Sequence, residues 1–176
     1  MFKKILLALV VVVAAFCIYV ALQPPEFKVV RSAVMAAPQA AVFEQVNDFH
    51  HWQQWSPWAK LDPNAKAVFE GPASGAGAVF RWAGNAEVGE GSMTITESKP
   101  HERIRMKLDF VKPMESTADT EFTFLPDGDQ TRMTWTMTGT NDFIGRAMCT
   151  VMNMDRMVGG QFEKGLENVR AQVEKK

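Results

Sequence analysis

Few side chains in this sequence could do covalent or metal chemistry, and those few are badly spaced for it. His50 and His51 are adjacent, so on a helix or strand their rings diverge, and neither a cysteine nor a third histidine lies near enough in sequence to complete a metal site. His101 follows Pro100 in a turn and reads as a solvated ring. Cys149 has no histidine beside it and no Gly-x-Ser-x-Gly elbow occurs, so Cys149 reads as a small buried residue rather than a nucleophile. Cys17 sits in an apolar run far from Cys149, and no disulfide is expected between them. The glycine-rich stretch from Gly71 to Gly77 ends in no Gly-Lys-Ser/Thr and is followed by strands, which makes it a hairpin connection rather than a phosphate loop. No metal and no cofactor is implied by any of these residues.

Two carboxylates remain as acid–base candidates. A Gly89-x-Gly91 turn could hold a β-bulge that swings Glu87 or Glu90 inward, although solvent-facing side chains are the commoner outcome for glutamate. The aromatic residues carry more weight. Trp52, Trp55 and Trp58 recur at three-residue intervals, so a helical segment would set them along one side, either packed or at the mouth of a cavity. Eleven methionines suit a pocket that adapts to varied apolar shapes, and suit plain core filling equally well.

The elements that must position these residues follow from periodicity. Phe27 to Val34 is β-rich, and Ala37-Pro38 followed by Ala40, Val42, Phe43 and Val46 predicts a helix opened by proline. After Pro63 the pattern alternates with period two, and the glycine and proline breaks divide it into about six antiparallel strands. Ile104, Met106, Leu108 and Phe110 face one way and Arg103, Arg105 and Lys107 the other; Ala118, Thr120, Phe122 and Phe124, then Met133, Trp135 and Met137, continue the dry face. From Asn141 a long helical stripe of Met148, Met152, Asp155, Gly159, Phe162, Leu166 and Val169 recurs at spacings of four and three, with a break possible near Asn153. The sheet is the apolar face available to cover that stripe.

The composition, 47% apolar and 22% charged with a net charge of −1, excludes a disordered tail, a collagen-like fibre and a polybasic nucleic-acid binder. Residues 5–22 contain no charged residue, and eighteen residues at helical rise span about 27 Å, close to a bilayer's hydrocarbon thickness. The stretch is longer than a signal-peptide core and Tyr19-Val20-Ala21 is a poor cleavage site, so an uncleaved anchor is expected over a cleaved signal or a buried soluble helix. Lys3 and Lys4 precede the run and no basic residue follows until Lys28, which orients the amino terminus to the cytoplasm and the domain to the periplasmic or extracellular side. Pro24 and Pro25 end the helix. The expected organisation is an anchor over residues 1–22, a linker over 23–26, and one α+β domain over 27–176.

Strand, two short helices, an antiparallel meander and a long closing helix make a curved sheet of about seven strands gripping a helix. With Val46-Asn47-Asp48, Trp52 and Trp55-Ser56-Pro57-Trp58 near the start of that order, the chain resembles the START-related SRPBCC superfamily, also called birch-pollen-allergen-like or helix-grip. Gly71-Pro72, Gly75-x-Gly77, Trp82, Gly89-Glu90-Gly91 and the closing Gly159-Gly160-x-Phe162-Glu163-x-Gly165-Leu166 are similar to its polyketide cyclase/dehydrase branch. The resemblance implies a ligand cavity between sheet and long helix, and the tryptophan spacing, the inward strand positions and the helical stripe put Trp55, Trp58, Trp82, Met106, Phe122, Trp135, Met152 and Gly159 in its wall. Together with the apolar run and the composition, it points first to a membrane-anchored domain that binds a hydrophobic small molecule or lipid, with no nucleic acid involved. A cyclase- or dehydratase-like enzyme using Glu87 or Glu90, and a protein-interaction module with a filled core, are the alternatives.

Overall fold

The computed structural model describes every residue except Asn153 and Lys176. Its elements run α1 (Phe2–Ala21), β1 (Glu26–Met35), α2 (Gln39–Asn47), α3 (Phe49–Trp55), β2 (Lys66–Glu70), β3 (Val79–Ala83), β4 (Glu90–Lys99), β5 (Arg103–Lys112), β6 (Ser116–Asp127), β7 (Gln130–Thr140), α4 (Phe143–Val151) and α5 (Met154–Val173). The expected seven-stranded α+β helix-grip architecture is what the chain adopts. All seven strands join one antiparallel sheet in the order β1-β7-β6-β5-β4-β3-β2. Six strands are a simple meander, and β1 returns to pair with β7, so the first and last strands of the domain are neighbours.

The two faces of the sheet differ as the alternation requires. Ile104, Met106, Phe122, Phe124, Met133 and Trp135 are buried. On the opposite face Arg103 bonds Glu97 at 2.6 Å and Arg105 bonds Glu121 at 2.7 Å, a polar ladder across β4, β5 and β6 that keeps this side wet. Short helices close one end of the dry face. Proline 38 caps α2, whose Val42, Phe43 and Val46 are buried; the Asp48 carboxylate then accepts the His50 N–H and starts α3. Trp52 and Trp55 of α3 are buried and send their indole N–H groups to the carbonyls of Val46 and Gln45.

Helix α5 lies against β1, α2 and α3. Two glycines set how it lies. At Gly165 an added Cβ would stand 2.8 Å from the Trp135 ring, so the helix can approach the indole only without a side chain there. Phe162, one turn earlier, stacks on the same indole with ring centres 4.0 Å apart and planes 7° apart. At Gly159 the neighbour is instead the guanidinium of Arg31, an inward-facing residue of the edge strand β1 in register with Trp135. Arg31 donates to Glu163 at 2.7 Å and to both carboxylate oxygens of Asp155 at 2.9 and 3.1 Å. These contacts, Asp155 first, hold the Arg31 pKa well above its ordinary range and the Asp155 carboxyl below its own.

The closing stripe departs from the sequence expectation. Helix α4 ends at Val151 and α5 begins at Met154; Asn153, where the break was expected, lies outside the described residues. The interruption shifts the helical phase. Phe162, Leu166 and Val169 pack on the core, whereas Met148 and Met152 are 43% and 40% exposed. Cys149, expected as a buried residue, is half-buried on a helix that has no buried residue at all.

Two outcomes follow from this packing. Trp135→Ala removes the ring that α5 rests on and should cost about 3–5 kcal/mol in urea unfolding of the full chain in mild detergent. Asp155 contributes stability that is complete above the unfolded aspartate value of about 4 and is lost as the pH falls through its depressed folded value. The stability difference between the parent and Asp155→Asn should therefore be full at neutral pH and shrink once the pH drops below about 4.

Candidate functional site

The long helix covers only part of the dry face. Beyond it, between strands β3 to β7 and the segment around α3, lies a half-open cavity of about 370 Å³. Its wall is built from alternate positions of the sheet: Phe80 and Trp82 on β3, Met93 on β4, Leu108 and Phe110 on β5, Thr120 on β6, Trp135 and Met137 on β7. Val158 and Phe162 close it from α5, and Trp52, Trp58 and Ala59 from the other side. The volume falls in the range of small-molecule sites, and the wall is largely apolar and aromatic with few polar groups, as such sites are.

Among the described residues of the wall the charged ones are Asp62, in the segment leading into β2, and Lys66, the first residue of that strand. The Asp62 carboxylate is already committed, accepting the backbone N–H groups of Asn64 at 2.9 Å and Asn85 at 2.7 Å and so tying this segment to the turn after β3. Deeper in, two polar atoms have no partner within the protein. The Thr120 hydroxyl and the Trp135 Nε1 are both buried and both unbonded. Trp52, Trp55 and Trp82 send their indole N–H groups to backbone carbonyls, whereas the buried Trp135 Nε1 has no such partner. Its benzo edge meets Gly165, which leaves Nε1 at the far end of the indole. Thr120 pairs with Met137 and Phe122 pairs with Trp135, so Thr120 and Trp135 are diagonal neighbours on the dry face. Buried donors and acceptors are normally satisfied, by water or ligand where the protein supplies nothing.

The expected wall residues divide into three groups. Trp58, Trp82 and Trp135 line the cavity together. Trp55, Met106 and Phe122 are almost fully buried and lie outside the lining, in the packed part of the domain. Met152 and Gly159 are elsewhere: Met152 is exposed beyond the end of α4, and the room left by Gly159 is taken by Arg31 rather than opening onto the cavity. Leu108, Phe110, Thr120 and Met137 were legible as inward positions, but period two cannot tell which inward side chains the helix covers. The β-bulge expected near Gly89-x-Gly91 falls between Glu90 and Gly91. Glu90 nevertheless turns to Lys112 Nζ at 2.7 Å, raising the lysine pKa, and Glu87 is exposed; neither is in the lining. The adjacent histidines diverge, His50 Nδ1 toward Asp48 and His51 Nδ1 toward the Glu44 carbonyl.

A curved antiparallel sheet, a closing helix pinned to its edge strand and a cavity between the two define a helix-grip domain. Residues 26–174 match the family described as polyketide cyclase / dehydrase and lipid transport, and the chain belongs to it. Solved structures share the fold at low identity. The di-domain ARO/CYC BexL from the BE-7585A biosynthetic pathway has a TM-score of 0.65 at 16% identity, covering 89% of this chain and 53% of that one. Major latex-like protein 151 from Panax ginseng gives 0.62 at 10% identity, over 86% of this chain and 99% of the other. The Aha1 dimer from Colwellia psychrerythraea gives 0.61 at 12%, over 84% and 96%. No curated protein matches.

Thr120→Val tests whether the hydroxyl serves the fold. An orphan hydroxyl contributes nothing to the empty protein, so the variant should unfold within about 1 kcal/mol of the parent or be more stable, whereas loss of a satisfied buried hydrogen bond would cost about 1–3 kcal/mol. Urea unfolding of the two chains distinguishes these.

Proposed function

We propose that this chain binds a hydrophobic small molecule or lipid in the cavity between the sheet and α5, and that α1 holds the domain at a membrane. The observation that carries the reading is the half-open, largely apolar and aromatic cavity between the sheet and α5. Volume and lining favour an apolar body of modest size, and the Thr120 hydroxyl with the Trp135 indole favours one hydrogen-bonding group on it. The family description, which names lipid transport, points the same way. Helix α1 supports the second half: it runs 20 residues, has a mean hydropathy of 2.7 in its most apolar window and is almost wholly exposed. An uncleaved anchor with the domain on the periplasmic or extracellular side fits its length and the position of Lys3 and Lys4.

The family description and the likeness to BexL also support a second reading, an enzyme of the cyclase kind. Such a reaction needs a titratable group at the cavity, and Asp62 and Lys66 are the ones in its wall.

Leu108→Trp is the discriminating experiment, because this side chain lines the cavity and enlarging it fills empty volume. Native mass spectrometry of the full chain, released from detergent after purification from membranes, should show a bound apolar molecule on the parent and none on the variant, with stability unchanged or raised. A parent that carries nothing, together with a variant destabilised by about 1–3 kcal/mol from overpacking, would overturn the binding reading in favour of a filled core.

A further inference from the structure

Helix α4 is built inside out for a water-exposed helix. Phe143, Ile144, Met148 and Val151 fall on one side of it, and their exposures of 43%, 56%, 43% and 75% show that this side faces away from the protein. The polar side turns inward. Arg146 donates to the carbonyl oxygens of Ala21 and Gln23 at 3.2 and 3.3 Å, and the Cys149 thiol accepts from the Asn141 amide. No residue of α4 is buried.

The place of this face identifies what covers it. The Asn141 N–H bonds the Pro25 carbonyl at 2.8 Å, so α4 starts level with the residues that leave α1. Arg146 then binds the carbonyls at the carboxyl end of α1 itself, and the two helices are in contact. The exposed Ile18 and Tyr19 at the end of α1, Leu22 just after it and the outward residues of α4 are thus neighbouring parts of the apolar surface, and Met152, directly after α4, is exposed as well. If α1 crosses the bilayer, α4 sits where the hydrocarbon ends.

We infer that α4 is an interfacial helix that lies along the bilayer surface beside α1, with Phe143, Ile144, Met148 and Val151 among the lipid acyl chains. This rests on the reading of α1 as membrane-spanning. An amphipathic segment of this kind lies in the interface plane with its apolar side a few ångströms into the lipid and its cation at headgroup level. Arg146 meets that requirement, held at the α1 terminus with its guanidinium 6.0 Å from the Phe143 ring. The consequence is a fixed orientation: the α4–α5 junction, and with it the Val158 and Phe162 wall of the cavity, is held close to the membrane.

The test uses the full chain in phosphatidylcholine vesicles containing doxyl-labelled lipid. A nitrobenzoxadiazole label is placed on native Cys17 in a Cys149→Ala background, or on Ile144→Cys, Val151→Cys or Leu125→Cys in a chain with both native cysteines replaced by alanine. Leu125 is 55% exposed at the far end of β6 and serves as the soluble-side reference. The labels at 144 and 151 should be blue-shifted and quenched by shallow doxyl groups, the Cys17 label by deep ones, and the Leu125 label by neither. Quenching at Cys17 with none at 144 and 151 overturns the interfacial helix and leaves the anchor standing. A blue shift at 144 and 151 without lipid quenching assigns the face to a second protein surface and also overturns it. No quenching at Cys17 removes the anchor, and this inference falls with it.

Discussion

The stack of Phe162 on Trp135 is the contact on which the rest of the domain is arranged. It lies where Gly165 lets α5 reach the sheet, and it is held from the side by the paired contacts of Arg31 with Asp155 and Glu163. Trp135 also meets Trp52, Trp55, Trp58 and Phe122 at ring-centre distances of 4.9 to 6.3 Å. One indole therefore joins β7, β6, α3 and α5. Aromatic contacts of this kind are worth something beyond their burial, but the larger effect is geometric: the ring fixes the height of the helix above the sheet. The ion pairs add direction rather than much energy, since Asp155 and Glu163 are more than half exposed.

A helix fixed at that height over β1 and β7 cannot also cover β3, β4 and β5. The sheet is seven strands wide, and α5 lies along its first edge. Phe80, Trp82, Leu108 and Phe110 are thereby left inward-facing without the helix over them, and the cavity is the space that remains. It follows from how much a single helix can cover and needs no special side chain. The same fold is shared by the di-domain ARO/CYC BexL, a latex-like protein and Aha1, so fold alone leaves the chemistry open.

Much of this architecture was legible in the residues. Period two located the dry face of β5, β6 and β7 residue by residue, because Met106, Phe122 and Trp135 alternate with Arg105, Glu121 and Thr134. The site was less legible, for two physical reasons. Inward positions that are packed and inward positions that line a cavity have the same chemistry, so Met106 and Phe122 could not be separated from Leu108 and Phe110 until the helix was in place. The phase of a helical stripe, moreover, survives only while the helix is unbroken. Reading Met148 to Val169 as one stripe put Met152 and Gly159 in the wall, whereas the interruption before Met154 turns the apolar side of α4 outward and brings Gly159 onto Arg31. Gly165 was present in the same motif and is the glycine that matters to Trp135, but no spacing rule ranks one helical glycine above another.

The polarity of the cavity limits what it can hold. A charged group brought to the depth of Thr120 would need a countercharge, and Asp62 and Lys66 both lie at the entry to β2, with the Asp62 carboxylate already bonded to backbone N–H groups. A pure hydrocarbon would fit the aromatic wall but leave the Thr120 hydroxyl and the Trp135 N–H unsatisfied. A neutral, mostly apolar molecule with one oxygen able to accept from the indole and exchange a hydrogen bond with the hydroxyl meets both conditions. Molecules of that description partition into bilayers rather than water. A domain that binds them gains little from diffusing through the aqueous phase and much from being held against the lipid, which is where an apolar α1 and an outward-facing apolar α4 would keep it.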